Sequence, residues 1–166
     1  MPQPTARRAK APLTGPVAAR AAGLYLDNQL CFALYATSLA MTKVYRPLLV
    51  SLGLTYPQYI VMLALWQHGE LSAGGLGERT ALDSGTLVPL IRKLTALGLV
   101  ERRRSASDER SVLLSLTPAG ARLRGRAHGV HDQVACTTQL SLAQRQALTR
   151  ALRELRTALA PKFTGR

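Results

Sequence analysis

Between Asp83 and Gly98 the chain places apolar residues at the spacing of one face of an α-helix. These residues are Leu87, Leu90, Ile91, Leu94 and Leu97. Asp83 suits the N-cap of this helix, because a short carboxylate accepts hydrogen bonds from the free amides of the first turn. Gly98 suits its end, because glycine readily adopts the left-handed conformation that closes many helices. The pattern therefore predicts a capped helix over this run.

The residues that follow predict a basic β-hairpin. The segment from Leu99 to Arg104 ends in three consecutive arginines, and a polar tip from Ser105 to Glu109 comes after it. Beyond the tip, apolar residues alternate as in a half-buried strand. They are Val112, Leu114 and Leu116. A helix followed by such a hairpin is the plan of a winged helix-turn-helix, whose helix enters the major groove of DNA while the hairpin reaches the neighbouring backbone or minor groove.

Two helices are predicted upstream of this unit. Apolar residues at helical spacing predict a long helix from Leu24, with Pro47 as a kink or restart and Gly53 as the end of the region. Thr55, followed three residues later by Gln58, is a capping-box pattern and predicts the start of the second helix.

A short helix from Ala73 to Thr80, capped by Ser72, completes the predicted helix-turn-helix. Its three glycines each disfavour helix by ~1 kcal/mol relative to alanine, so this helix is weak on local grounds. After the hairpin, Thr117 as N-cap and Pro118 as first helical residue predict another long helix. Its apolar stripe consists of Leu123, Ala127, Val130 and Val134, with Thr137 as a candidate for its last position.

A last helix is predicted near the end of the chain. Ser141 and Gln144 repeat the capping-box pattern, and Pro161 ends the helix. The helices near the two ends of the chain carry more apolar surface than a winged helix can cover. We therefore expect a mostly helical α+β fold with a small β-hairpin wing, in which the terminal helices form a dimerisation layer.

The length of 166 residues suits one domain. Residues 1–22 contain four prolines and little that could be buried, which predicts a disordered basic tail. The remaining residues, 23–166, are expected to form the single domain. Within it, the winged helix-turn-helix spans about 54–117, and the dimerisation helices span about 24–52 and 118–160.

Charge points to an anionic partner. The net charge is +13 and the sequence pI is about 11.0, which favours nucleic acid first and a membrane surface second. The longest apolar run, Ile60 to Trp66, is too short to span a bilayer, and the N-terminus lacks the apolar core of a signal peptide. We therefore expect a cytoplasmic protein, whose two cysteines are buried or redox-active thiols rather than a permanent disulfide.

From Leu24 to Ala160 the sequence resembles the MarR family of dimeric winged-helix transcription factors, and within it the organic hydroperoxide resistance regulators. The motifs that carry the resemblance are LDNQLCFALY (26–35), YRPLL (45–49), LTYPQYIVMLALW (54–66), LDSGTLVPLIRKL (82–94) and RRRSASDERSVLLSLT (102–117). The resemblance implies a homodimeric repressor that binds a pseudo-palindromic operator in double-stranded DNA. Such a repressor releases its operator when an organic hydroperoxide oxidises one cysteine near the N-terminus.

In this sequence the resemblance assigns the sensing role to Cys31. A peroxide-sensing thiol must be a reachable thiolate, and burial in an apolar pocket alone would raise its pKa and silence it. Hydrogen bonds must therefore stabilise the anion, and the resemblance supplies the hydroxyls of Tyr45 and Tyr56. Tyr35, one helical turn beyond Cys31, is a third candidate. The competing interpretation is that Cys31 is a small core residue and that the tyrosines only pack.

Cys136 lies where two-cysteine members of the subgroup carry their resolving cysteine. The helical wheel places it off the apolar stripe, and we expect it to be accessible. The resemblance implies that oxidised Cys31 condenses with Cys136 of the other subunit, whereas one-cysteine members use a small cellular thiol instead. An incidental surface thiol is the competing interpretation, because the surrounding sequence is not distinctive.

The start of the recognition helix offers hydroxyls and exposed amides that suit phosphates and base edges. These candidate DNA contacts are Ser84, Gly85 and Thr86. Arg92 and Lys93 fall off the apolar face and can reach phosphates. The resemblance implies that Arg110 enters the minor groove and that Asp108 braces the hairpin. Each could instead be a solvated surface residue, an interpretation that is strongest for Lys93.

Four other functions compete with this interpretation. A thiol peroxidase would use a reactive cysteine, but we see no further catalytic constellation and expect no enzyme activity. A regulator of the same family could bind phenolic ligands without covalent chemistry. A metal sensor could use His128, His131 and Cys136, but no carboxylate or Cys-x-x-Cys cluster accompanies them, so we expect no metal and no cofactor. An architectural basic protein would bind DNA with little sequence preference.

Overall fold

The computed structural model describes residues 23–104 and 112–159. Within these ranges a 3-10 turn, Leu26–Asn28, precedes six α-helices and three short strands. In chain order they are α1 (Leu30–Val50), α2 (Tyr56–His68), β1 (Leu71–Ser72), α3 (Ala73–Thr80), α4 (Ser84–Ala96), β2 (Val100–Arg104), β3 (Val112–Leu116), α5 (Pro118–Thr137) and α6 (Leu142–Leu159). The mostly helical fold with a small β wing is confirmed.

Contacts along the chain divide it into two compact units, with the boundary inside α1 between Thr42 and Lys43. The single domain expected for residues 23–166 stays a prediction. In the described ranges no helix has the length and apolar character needed to cross a membrane.

The first long helix begins later than the sequence pattern predicted. Gln29 adopts an extended conformation after the 3-10 turn, so α1 starts at Leu30 rather than near Leu24. Pro47 lies inside α1, and the helix continues through it to Val50. A proline removes one helical hydrogen bond, and here that loss falls in the last turn, where the helix is about to end.

Helix α2 begins at the predicted capping box. The Gln58 Oε1 atom accepts hydrogen bonds from the Thr55 backbone N–H at 2.8 Å and from the Thr55 hydroxyl at 3.1 Å. Gly69, with φ of +76°, ends the helix. Five apolar side chains of this helix are buried. They are Tyr59, Val61, Met62, Leu65 and Trp66.

The sheet has three strands, in the order β1-β3-β2, where the sequence predicted a two-stranded hairpin. Leu71 of β1 pairs with Leu114 of β3, and Ser72 pairs with Leu113. The sequence pattern missed β1 because the strand has two residues and ends at the residue that caps α3. Leu114, at the centre of the sheet, is 1% exposed and packs into the core.

The start of α5 fixes the chain that follows the recognition helix. The Thr117 hydroxyl donates to the Gly98 carbonyl at 2.6 Å, and the Thr117 N–H donates to the Leu99 carbonyl at 3.1 Å. The Trp66 indole N–H donates to the Gly120 carbonyl at 2.9 Å in the interior. Helix α2, the turn after α4 and the first turn of α5 are therefore held together.

The predicted caps of the last two helices and four positions of the predicted α5 stripe are confirmed, whereas Thr137 is exposed. The Thr117 side chain accepts from the Gly120 N–H at 3.0 Å, and Pro118 is the first residue of α5. The buried stripe of α5 is Leu123, Ala127, Val130 and Val134. At the start of α6 the Ser141 N–H donates to Gln144 at 2.9 Å, and the Gln144 N–H donates to the Ser141 hydroxyl at 3.3 Å.

Candidate nucleic-acid interface and thiol site

Asp83 caps the recognition helix α4 with both carboxylate oxygens. Oδ1 accepts from the Thr86 N–H at 2.8 Å, and Oδ2 accepts from the Thr86 hydroxyl at 3.0 Å. The hydrogen bond from the Thr86 backbone, followed by that from its hydroxyl, lowers the pKa of Asp83 below the ordinary value of 3.8. The tight turn before α4 uses a left-handed residue, Ala81, with φ of +57°. The predicted cap is confirmed.

The apolar face of α4 is one turn shorter than predicted. Leu87, Ile91 and Leu94 are at most 4% exposed, but Leu97 is 52% exposed. The reason is that α4 ends at Ala96, so Leu97 is the C-cap residue and the chain turns away at Gly98, whose φ is +67°.

The predicted DNA contacts of α4 are all exposed. They are Ser84, Gly85, Thr86, Arg92 and Lys93. Because the opposite side of α4 is buried, these five residues face solvent on a single helix, where DNA can reach them. The Thr86 hydroxyl proton is already bonded to Asp83, which leaves its oxygen lone pairs and its methyl group for a partner. Their contact with DNA stays a prediction.

The arginines of β2 are exposed, but one of them is paired. Arg103 Nε donates to Glu70 Oε2 at 3.1 Å, and Arg103 Nη2 donates to Glu70 Oε1 at 3.1 Å and to Oε2 at 2.9 Å. This two-pronged ion pair was not foreseen from the sequence, because the partners are 33 residues apart. Arg110, predicted to enter the minor groove, and Asp108, predicted to brace the hairpin, lie outside the described residues.

Three tyrosines form a cluster between the end of α1 and the start of α2. The ring centroids of Tyr45 and Tyr56 are 4.7 Å apart, and those of Tyr45 and Tyr59 are 5.8 Å apart. Burial, with smaller contributions from Tyr56 and Tyr59, raises the pKa of Tyr45 to about 12. Burial also raises the pKa of Tyr56 and of Tyr59. At neutral pH these phenols are therefore protonated, and each can donate a hydrogen bond.

Tyr59 is the one member of the cluster that the sequence analysis does not name as a site residue. Its ring contacts that of Tyr45 and also lies 6.1 Å from that of Trp66 in an edge-to-face arrangement. The sequence feature that could have identified Tyr59 is its position three residues after Tyr56, which places both tyrosines on one side of α2.

Cys31 is the second residue of α1 and is a free, exposed thiol. Tyr35, four residues later, lies on the same side of the helix and is 62% exposed. The role of Cys31 as the sensing residue stays a prediction.

Cys136 lies in the last turn of α5, two residues after the buried Val134, and is also a free, exposed thiol. Its predicted accessibility is confirmed. His128 and His131 are exposed on the same helix. Among the residues that the structure describes, no three histidine, cysteine or carboxylate side chains come together to hold a metal ion.

Comparison with known proteins places these features in a family. Residues 43–124 match the family model of the transcriptional regulator SarA/Rot. The chain is 54% identical over 102 residues to the organic hydroperoxide resistance transcriptional regulator of Bacillus subtilis, covering 61% of this chain and 69% of that protein. It is 45% identical over 134 residues to the transcriptional regulator TtmR of Methylorubrum extorquens, covering 81% of this chain and 69% of that protein.

Solved structures of DNA-binding proteins share the fold of this chain. Reduced AbfR bound to DNA superposes with a TM-score of 0.67 at 30% sequence identity, covering 81% of this chain and 92% of that chain. A disulfide form of AbfR superposes with a TM-score of 0.59 at 29% identity, covering 84% and 98%. AbfR comes from Staphylococcus epidermidis. These relatives are regulators and not enzymes. The chain belongs to the MarR family of winged-helix transcriptional regulators, in the group that contains the organic hydroperoxide resistance regulators.

Proposed function

We propose that this protein is a dimeric repressor that binds a pseudo-palindromic DNA operator and releases it when an organic hydroperoxide oxidises Cys31. The observation that carries the proposal is the capped and exposed start of α4 beside an arginine-bearing wing, on a chain of net charge +13. The relative from Bacillus subtilis, named for organic hydroperoxide resistance, supports the choice of effector.

Exposed apolar side chains support a dimer. Helix α6 has no buried residue, yet its leucines at positions 148, 152 and 159 are 50%, 41% and 45% exposed along one side. In the N-terminal unit, Leu26 and Leu30 are 57% and 61% exposed. Apolar stripes of this kind mark surfaces that another chain covers. A second copy is the partner that would present two recognition helices to the two halves of an operator.

The peroxide chemistry starts at the Cys31 thiolate. Its sulfur attacks the distal oxygen of the hydroperoxide, an S–O bond forms, the O–O bond breaks, and the departing alkoxide takes a proton and leaves as an alcohol. Cys31 becomes a sulfenic acid. In the dimer, we assign Tyr45 and Tyr56, and secondarily Tyr35, to donate hydrogen bonds to the thiolate, a role that fits the raised pKa values of Tyr45 and Tyr56.

Cys136 is assigned the resolving step. Its thiolate attacks the sulfenic sulfur of Cys31 in the partner chain, a disulfide forms and water leaves. The exposure of Cys136 and the disulfide form of AbfR support this route over capture by a small thiol. The disulfide would shift the two winged units relative to each other and so spoil the spacing of the recognition helices.

The test uses an operator selected from random-sequence duplexes by the reduced protein. Fluorescence anisotropy follows binding before and after one equivalent of an organic hydroperoxide, and again after a dithiol. We expect the wild type to release DNA and to rebind after reduction, and Cys31→Ser to stay bound. Cys136→Ser is the matched control, because it removes the other exposed thiol. It should still be oxidised at Cys31 but should form no disulfide between chains.

Two outcomes would reject parts of this proposal. If Cys31→Ser releases the operator as readily as the wild type, the effector does not act through this thiol, and a ligand-binding regulator becomes the better account. If reduced wild-type protein binds the selected duplex no better than a random one, the sequence-specific repressor is wrong and an architectural role replaces it.

A further inference from the structure

The three consecutive arginines of β2 are not equivalent. Successive side chains of a strand point to opposite faces of the sheet, and residues paired across strands share a face. Arg102 pairs with Leu114, whereas Arg103 pairs with Leu113. Arg102 and Arg104 therefore share one face of the sheet, and Arg103 lies on the other.

The face with Arg102 and Arg104 is the face that the helices cover. Leu114, opposite Arg102, is 1% exposed, and Val100 on the same face of β2 is 2% exposed. The recognition helix α4 packs against β2. A duplex that receives α4 in its major groove therefore meets the wing on the side where Arg102 and Arg104 project.

Arg103 is held on the opposite face by Glu70. Three hydrogen bonds of 2.9 to 3.1 Å join its guanidinium to both carboxylate oxygens, which is the strongest geometry for such a pair. Glu70 is itself positioned, because it follows the left-handed Gly69 and its N–H donates to the His68 carbonyl at 3.0 Å. Within residues 23–104 and 112–159 this is the one ion pair, so Arg102 and Arg104 have none there.

We propose that β2 divides its arginines between two tasks. Arg102 and Arg104 contact the phosphates of the DNA backbone beside the recognition helix. Arg103 contacts no phosphate and instead binds Glu70, which ties the outer strand of the wing to the turn before β1. The inference rests on the DNA binding proposed above and names the wing residues that perform it.

Salt dependence separates the two tasks. Arg102→Gln, Arg104→Gln and Arg103→Gln each remove one charge from an exposed position of the same strand, so Arg103→Gln is the matched control. The affinity for a labelled mixed-sequence duplex is measured against salt concentration. Each lost phosphate contact should reduce the slope of log K against log salt by about 0.9. In the proposed dimer each substitution removes one contact per subunit, so the slope should fall by about 1.8 for Arg102→Gln and for Arg104→Gln and stay unchanged for Arg103→Gln.

Hydrogen exchange tests the positioning role of Arg103. Glu70→Gln and Arg103→Gln should each speed the exchange of the β2 amides, and the double variant should exchange no faster than either single one. Arg102→Gln and Arg104→Gln should leave these amides as protected as in the wild type. Equal protection in all variants would overturn the positioning role.

The outcomes distinguish this inference from the proposed function. If the wild type binds the duplex and Arg103→Gln reduces the slope as much as Arg104→Gln, the division of the arginines is wrong and the proposed function stands. If the wild type binds no duplex at all, both are wrong.

Discussion

Gly120 allows the first turn of α5 to lie against the chain that follows the recognition helix. A Cβ atom at this position would lie 2.0 Å from the Leu99 carbonyl oxygen, a distance that no side chain tolerates. The Gly120 carbonyl also receives the Trp66 indole hydrogen bond. One residue therefore determines how closely α5, α2 and the turn after α4 approach each other.

Gly120→Ala should destabilise the protein because the added methyl group forces these backbones apart. Overpacking of this kind costs about 1–3 kcal/mol, and occasionally more, in the free energy of unfolding. Gly125→Ala is the matched control in the same helix, since its Cβ would have nothing within 4 Å. That variant should gain about 0.5–1 kcal/mol from reduced backbone entropy. Urea unfolding measures both, and equal stability of the two variants would contradict the packing described for Gly120.

At the scale of the elements, the helix caps and helix ends agree with the sequence patterns. Asp83, Ser72 and Thr117 accept hydrogen bonds from the first turns of their helices, and Gly98 has a positive φ, as predicted. These features depend on a few neighbouring residues, which a sequence displays directly. Pro89 shows the limit of such rules, because it lies inside α4 without ending it.

What the sequence could not show depends on residues that are far apart along the chain. The Trp66 and Gly120 pair is separated by 54 residues, and β1 is recognisable as a strand only through its pairing with β3. The candidate site shows the same limit. The tyrosine cluster is assembled from α1 and α2, which only the folded chain brings together.

The cap of the recognition helix gives a prediction about α4. Asp83→Ala removes the acceptor for the Thr86 amide and should loosen the first turn, which lowers DNA affinity several-fold. Asp83→Asn keeps an equally good cap and removes a negative charge near the phosphates, so it should bind DNA at least as tightly as the wild type. Anisotropy measures both, and a loss of affinity in Asp83→Asn equal to that in Asp83→Ala would show that the charge, and not the cap, matters.

The same pair of variants tests the pH dependence of the cap. Because the folded-state pKa of Asp83 is depressed, its contribution to stability is present above pH 3.8 and is lost as the pH falls through the lowered pKa. The stability of Asp83→Asn should not show this loss as the pH falls, because an amide does not titrate in this range. Thermal unfolding across this pH range provides the measurement.

At the scale of the whole molecule, the proposed dimer covers the leucine side of α6. Leu152→Glu places a charge on this side and should shift the protein towards monomers. DNA affinity should fall by at least about 100-fold, because a dimer binds through two linked recognition helices and a monomer through one. Gln146→Glu is the matched control, since helical geometry puts it on the opposite side of α6. Sedimentation analysis and anisotropy follow the two effects, and a monomeric wild type would contradict the dimer.

The most direct test follows Cys31 and DNA in the same samples. Substoichiometric amounts of an organic hydroperoxide are added to the protein–operator complex, and each sample is divided. Anisotropy gives the fraction of DNA released, and peptide mass spectrometry gives the fraction of Cys31 that is oxidised or disulfide-bonded. The account predicts that the two fractions rise together at every addition. Complete oxidation of Cys31 with the operator still bound, or release with Cys31 still reduced, would contradict it.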